Sequence, residues 1–260
     1  MKRDADDETV GININQVKLL VISDAKNVLR DPLMLLVLGA PLYLFIVVKY
    51  GIPFVDNQLE KYTYFQLMDH FYLITCFIVL IAPMMVGMLT GFLLLDEKDD
   101  GILNYMDITP MKRTGFIGYR ITIPLIISFV ISFVLVILFL MGDGLVNWGL
   151  LLLTLTVVSL LGPLITMYLA SFCKNKVEGI TYVKLISIFS IGPIVTYMFE
   201  SWWTGFAYII PMTWLVETAY MSMTGEYFGL IQNWAILYLG GVINITIFLY
   251  IFYQKMLRSL

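Results

Sequence analysis

The sequence predicts an all-α, polytopic membrane protein. Two bulk properties and one pattern carry that prediction. Of 260 residues, 60% are hydrophobic and only 13% are charged, whereas a soluble domain holds about 25% charged residues. The mean hydropathy is +0.86. The apolar residues gather into six long runs separated by short polar segments, and a helix needs about 20 residues to cross a hydrocarbon core of about 30 Å. A single transmembrane domain over 1–260 is therefore expected, with polar segments at 1–32 and 96–113 and an aromatic-rich segment at 201–232.

The chain opens on MKRDADDETV, which is polar and acidic with no apolar core behind it, so no cleavable signal peptide is expected. From Ile14 to Arg30 apolar residues recur at helical period. Ile14, Val17, Val21, Ala25 and Val28 form one stripe, as in an amphipathic helix lying at the lipid headgroups. Asp31–Pro32 turns the chain into a first span, Leu33–Val48, short enough that Lys49 and Tyr50 are expected to snorkel. A polar loop with Asp56, Glu60 and Lys61 follows, then a second span, Phe71–Leu95. The remaining spans are expected near Ile121–Met141, Gly149–Phe172, Ile180–Phe199 and Asn233–Tyr253. Ser201–Gln232 is apolar but carries Pro211 and Glu217. It is expected to form a re-entrant or interfacial hairpin rather than a seventh span, because broken backbone at membrane depth must be covered by protein.

Basic residues set the orientation. With six spans, 14 of the 16 Lys and Arg fall on one side, leaving only Lys49 and Lys61 opposite. Both termini are then expected in the cytoplasm of a prokaryotic cell, beneath its plasma membrane, and 201–232 outside. All five tryptophans, Trp148, Trp202, Trp203, Trp214 and Trp234, map to the outer face as an aromatic belt. Prolines 41, 83, 124, 163 and 193 lie inside spans, where each removes a backbone hydrogen bond and favours a kink.

Several chemistries find no support. No phosphate-binding G-x-x-x-x-G-K-[ST] motif occurs, so ATP is not expected to bind in that manner. His70 is the sole histidine and no metal-ligand spacing exists, so neither a metal nor a catalytic residue is assigned. Cys76 and Cys173 map to different depths, so no disulfide is expected. The deep ionisable relays of proton-driven transporters are missing, which points to an external energy source. No nucleic-acid partner is expected; lipid is.

The most informative polar segment is DEKDDGILNYMDITPMKR, Asp96–Arg113. Central charges cost about 2.5–3.5 kcal/mol each in hydrocarbon, so it must lie in water. Gly101 breaks the acidic cluster, Ile102, Leu103, Tyr105 and Met106 fall at helical spacing, and Thr109–Pro110 stops the helix. The stretch LLLDEKDDGILNYMDITP resembles the segment after the second span of ABC type-2 exporter permeases, which commonly reads LLLDEKDEGTLEALLVTP. It departs at Asp100, at Ile102 and across 104–107. The run DAKNVLRDPLMLLVLGAPL resembles the entry to the first span of the same permeases, closest to drug-export members of the fluoroquinolone type.

The resemblance implies that 96–113 is a coupling helix docking on a separate ATPase subunit, with Asp96, Glu97, Asp100, Gly101, Leu103, Met106, Thr109 and Pro110 as the contact set. It further implies a homodimer, or a heterodimer with a related permease. ATP and magnesium would be held by the partner ATPase, with no cofactor in this chain. The substrate path would be lined by the second and fifth spans, with Thr75, Phe77, Met84, Met85 and Met88 on one and Ile188, Phe189, Thr196 and Tyr197 on the other. Methionine suits adaptable apolar walls. The competing reading is a membrane enzyme or assembly factor without an ATPase, which should show a polar catalytic set inside its spans. A channel is disfavoured because no repeated filter or charged ring occurs.

Overall fold

The computed structural model describes residues 14–62, 64–102, 112–142, 144–199 and 201–259. Regular structure among them is helical throughout. Helix α1 (Ile14–Arg30) precedes α2 (Pro32–Ile46) and α3 (Ile52–Leu59). Next come α4 (Phe71–Asp99), α5 (Lys112–Leu140), α6 (Trp148–Val158) and α7 (Leu161–Phe172). Helices α8 (Lys176–Ile188), α9 (Ile191–Met198), α10 (Pro211–Thr224) and α11 (Trp234–Ser259) complete the chain. Among the described residues, six segments are long and apolar enough to cross a membrane: Pro32–Leu59, Leu67–Asp99, Gly115–Leu140, Trp148–Phe172, Lys176–Met198 and Trp234–Met256.

Among the described residues, side-chain caps start four helices. Asp31 accepts from the Leu33 and Met34 amides, Asn147 from Leu150, Asn175 from Glu178 and Asn233 from Ala235. Each satisfies amide groups that a helix start leaves without partners.

The first span is longer than its hydropathy suggests. A π-helical turn, Val47–Gly51, joins α2 to α3, so the helix runs on to Leu59. Pro53 has no amide hydrogen and its ring crowds the carbonyl four residues earlier, inside that wider turn, which absorbs the conflict. Asp56, expected in a solvated loop, is buried and accepts from the Leu67 and Met68 amides, capping the 3₁₀ turn that opens α4.

The interior prolines act in two ways. Pro41, Pro83 and Pro124 lie inside continuous helices. Pro163 and Pro193 instead follow a Gly, and the helix breaks just before each, at Ser159–Leu160 and at Phe189–Ser190. Ser159 and Phe189 are the residues four positions before those prolines, whose carbonyls the ring would strike.

Helix α4 and the α6–α7 pair form the buried centre, and α2, α5, α8 and α11 surround them with apolar side chains turned outward, Leu36, Val130, Leu185 and Ile243 among them. The central crossing is glycine-dependent. Gly87 and Gly91 lie on the same face of α4, and a Cβ on Gly87 would sit 2.3 Å from the Gly162 carbonyl oxygen of α7. A Cβ on Gly91 would meet Leu169 Cδ1 at 2.6 Å. Small residues spaced by four let helix backbones approach this closely. The hydroxyls of Thr90 and Thr166 then bond across the seam at 2.6 Å.

The segment after α9 folds back into the bundle. A 3₁₀ helix, Trp202–Ile209, leads to α10, which begins beside the mid-span residues Met84, Ile165 and Phe248 and climbs back to the end where α6 and α11 begin. Helix α10 is too short to cross a membrane and is buried along most of its length. Trp148 and Trp234 start α6 and α11 at that end. Trp214 differs from the expected belt. Its ring covers Gly240, and its indole nitrogen donates to the Tyr208 carbonyl at 2.6 Å, so it packs the hairpin against α11.

Candidate functional site

The base of the 96–113 segment is held by an ion-pair cluster. Helix α4 carries its acidic tail out to Asp99, placing the neighbouring Asp96 and Glu97 at the end of the bundle. Glu97 bonds the Arg120 guanidinium of α5. Arg120 is 3% exposed and forks onto Asp24 of α1, with Nη1 to Oδ2 at 2.8 Å and Nη2 to Oδ1 at 3.1 Å. The Tyr119 hydroxyl also donates to Asp24 Oδ2, at 2.7 Å. A two-pronged guanidinium–carboxylate pair fixes geometry as well as charge.

Asp96 engages a second cation. Lys176, the first residue of α8, reaches Asp96 Oδ2 at 2.9 Å and Asp31 Oδ2 at 2.6 Å. The Lys176 ammonium holds the Asp31 carboxyl below its ordinary range. Two adjacent acids at the root of the segment therefore clasp two cations, and each cation also holds an acid of the N-terminal region. A movement at 96–102 reaches α1, α5 and α8 through charge pairs.

Asp100 caps the end of α4 and is exposed, and Gly101 takes φ +69°, the left-handed region that favours glycine. Leu103, Met106, Thr109 and Pro110 lie outside the described residues.

The face of α1 that meets the bundle differs from the expected stripe. Leu20, Asp24 and Val28 turn inward, whereas Val21 and Ala25 are exposed. The buried charge on Arg120 decides the rotation, since it needs Asp24. Sequence periodicity could not show this, because it counts an acid as outward-facing. The one available signal was Arg120 itself, a lone charge at the head of an apolar span, which demands a partner.

The residues expected to line a path divide. Met84 and Phe189 come together, lining an apolar cavity of about 60 Å³ with Ile165, Tyr168, Met212 and Phe248. This is where the second and fifth spans meet, directly at the α8–α9 break. Met85 points to the other side of α4, into a crevice with Val37, Pro41 and Ile127. Met88 and Phe77 are partly buried against the main core. Thr75 is fully buried with no hydrogen-bond partner for its hydroxyl. Ile188 is exposed, and Thr196 is buried with its hydroxyl on the Pro193 carbonyl. Tyr197 bonds His70 Nδ1 at 2.7 Å, tying the end of α9 to the start of α4.

A family model described as Fluoroquinolones export permease protein Rv2686c-like matches residues 24–253. The chain belongs to this family. The matched stretch of this export permease begins at Asp24 and includes every partner in the ion-pair cluster. Two curated relatives are 25% identical over 230 residues, covering 86% of this chain and 88% of theirs. They are the fluoroquinolones export permease proteins MT2760 of Mycobacterium tuberculosis strain CDC 1551 / Oshkosh and Rv2686c of strain ATCC 25618 / H37Rv. No solved structure matches the permease.

Proposed function

We propose that this chain is the transmembrane permease subunit of an ATP-driven exporter of small apolar or amphipathic drugs, fluoroquinolones among them. It works as a dimer with a separate ATPase subunit that binds ATP and magnesium. The observation that carries the reading is the rooting of 96–113 in two ion-pair nodes. A docking segment must pass force to the spans, and Asp96 and Glu97 connect its base to α5 and α8. Family membership supports the drug-export part, because the relatives are named for fluoroquinolone export.

The export step follows from the breaks. The cavity at Met84 and Phe189 is too small for a drug, so the described form is closed there. The α8–α9 joint lies on its wall, and bending at that joint widens the space between the second and fifth spans. Exposed Ile188 and Phe189 lie at the start of the joint and would face the second subunit. ATP binding would favour one of two such arrangements by its differential affinity for them. Walls of this kind select by buried apolar area, at about 25 cal/mol per Å², and so accept a range of compounds.

The docking assignment has a direct test. With the permease co-purified with its proposed ATPase partner, changing Leu103 and Met106 to Asp should abolish both complex formation and permease-stimulated ATP hydrolysis. Retention of both would remove 96–113 from the interface. The orientation is tested separately. In a cysteine-free background, Glu226→Cys should react with an impermeant maleimide on intact cells and Ser259→Cys should not, and the reverse pattern would invert the topology.

A further inference from the structure

The far half of the bundle, away from the acidic end of α4 at Asp96–Asp99, holds a buried acid that coupling does not use. Glu217 of α10 is 3% exposed. Its Oε2 accepts from the Tyr208 hydroxyl at 2.7 Å, and that hydroxyl accepts from the Leu230 amide at 3.0 Å. Oε1 is buried with no hydrogen-bond partner among the described residues. Thr196 lies beside the carboxylate, but its hydroxyl donates to the Pro193 carbonyl at 3.1 Å. Among the described residues no Lys, Arg or His forms an ion pair with Glu217. A buried carboxylate with no counter-charge is costly unless a proton or a cation neutralises it.

Next to this acid lies a cleft of about 450 Å³, lined by Phe199, Trp202, Thr204, Phe228, Gly229 and Leu230 among others. Two of those wall residues touch the acid's own network. Leu230 bonds Tyr208, and Gly229 stands against the carboxylate itself. A Cβ at 229 would lie 2.3 Å from Oε1 and 2.5 Å from Oε2, so any side chain there would push the carboxylate away. Glycine thus keeps a negative group against the wall of an aromatic cleft. Aromatic faces attract cations, and the aromatic rings here share the lining with the polar Ser201, Thr204 and Gln232.

We propose that this cleft binds an organic cation, an amphipathic amine or lipophilic onium, with its body on Phe199, Trp202 and Phe228 and its charge balanced by Glu217. The proposal deepens the export reading by naming a substrate class at one end of the path, and it rests on that reading only for the direction of passage.

The probe is radiolabelled tetraphenylphosphonium, with the purified permease in nanodiscs, no ATPase, and empty nanodiscs as the partition control. Saturable binding of one cation per chain is expected, and neutral triphenylphosphine oxide should not compete. Glu217→Gln and Gly229→Ala should each weaken binding about tenfold, and Trp202→Ala about fivefold. Trp202 is exposed, so its truncation leaves folding untouched. Binding no greater than in empty nanodiscs, equal competition by the oxide, or unchanged affinity in Glu217→Gln and Trp202→Ala would each overturn the proposal. Because no ATPase is present, failure here leaves the coupling assignment standing, and failure of coupling leaves this result standing.

Discussion

Arg120→Ala is expected to destabilise the permease by about 3–5 kcal/mol, because it strips the cation from two partly buried carboxylates at once. Asp24 and Glu97 would face each other near the end of α4 with no counter-charge between them. Arg120→Lys should fall between the alanine variant and wild type, since a single ammonium cannot hold the two-pronged bond to Asp24 while also reaching Glu97. Loss of Asp24 alone should cost less, as Glu97 remains on the guanidinium. The measurement is thermal unfolding of the detergent-purified protein. The combined variant Asp24→Asn, Glu97→Gln, Arg120→Met should recover most of the alanine variant's loss, because neutralising a whole buried cluster is far milder than breaking it. An alanine variant as stable as wild type would show that the cluster contributes no net stability.

Gly87→Val should disrupt the centre of the bundle. The first added carbon already falls 2.3 Å from a backbone oxygen of α7 and 2.9 Å from Ile165 Cβ. Backbone cannot step aside as a flexible side chain can, so α4 and α7 must separate. Overpacking of this kind costs about 1–3 kcal/mol in forgiving sites and more where backbone is struck. Separation would also break the Thr90–Thr166 bond. Gly118→Ala in α5 is the control, since nothing lies within 4 Å of its Cβ position. Folded yield, read as the monodisperse fraction on size-exclusion chromatography, should collapse for Gly87→Val and hold for Gly118→Ala. Equal yields would mean the α4–α7 crossing is looser than its geometry.

The six spans were legible because hydropathy over 20 residues is a property of composition, insensitive to which face packs inward. Where a span ended was less legible. The first ran on past Lys49 to Leu59 because a π-helical turn can accommodate Pro53, and no local propensity encodes that choice. Pro163 and Pro193 were visible as kink sites, yet their chemistry is that of Pro83 and Pro124, which sit inside unbroken helices. Packing around the Gly-Pro pairs separates the two outcomes.

The site was half visible. The acidic root of 96–113 stood out as charge next to long apolar runs. Its partners did not, because Arg120 lies 23 positions from Glu97, Lys176 80 from Asp96, and Asp24 96 from the Arg120 it holds, each on a helix of its own. Met84 and Met85 show the same limit from another side. Adjacent on one helix, they line different cavities, and only Met84 shares one with Phe189.

We propose drug export by this permease, acting with an ATPase through 96–113. Susceptibility of cells to a fluoroquinolone tests it, with the permease and the proposed partner ATPase expressed alone and together. Raised tolerance should appear only with both, and should be lost when Leu103 and Met106 become Asp. Tolerance conferred by the permease alone, or retained in that variant, would contradict the claim.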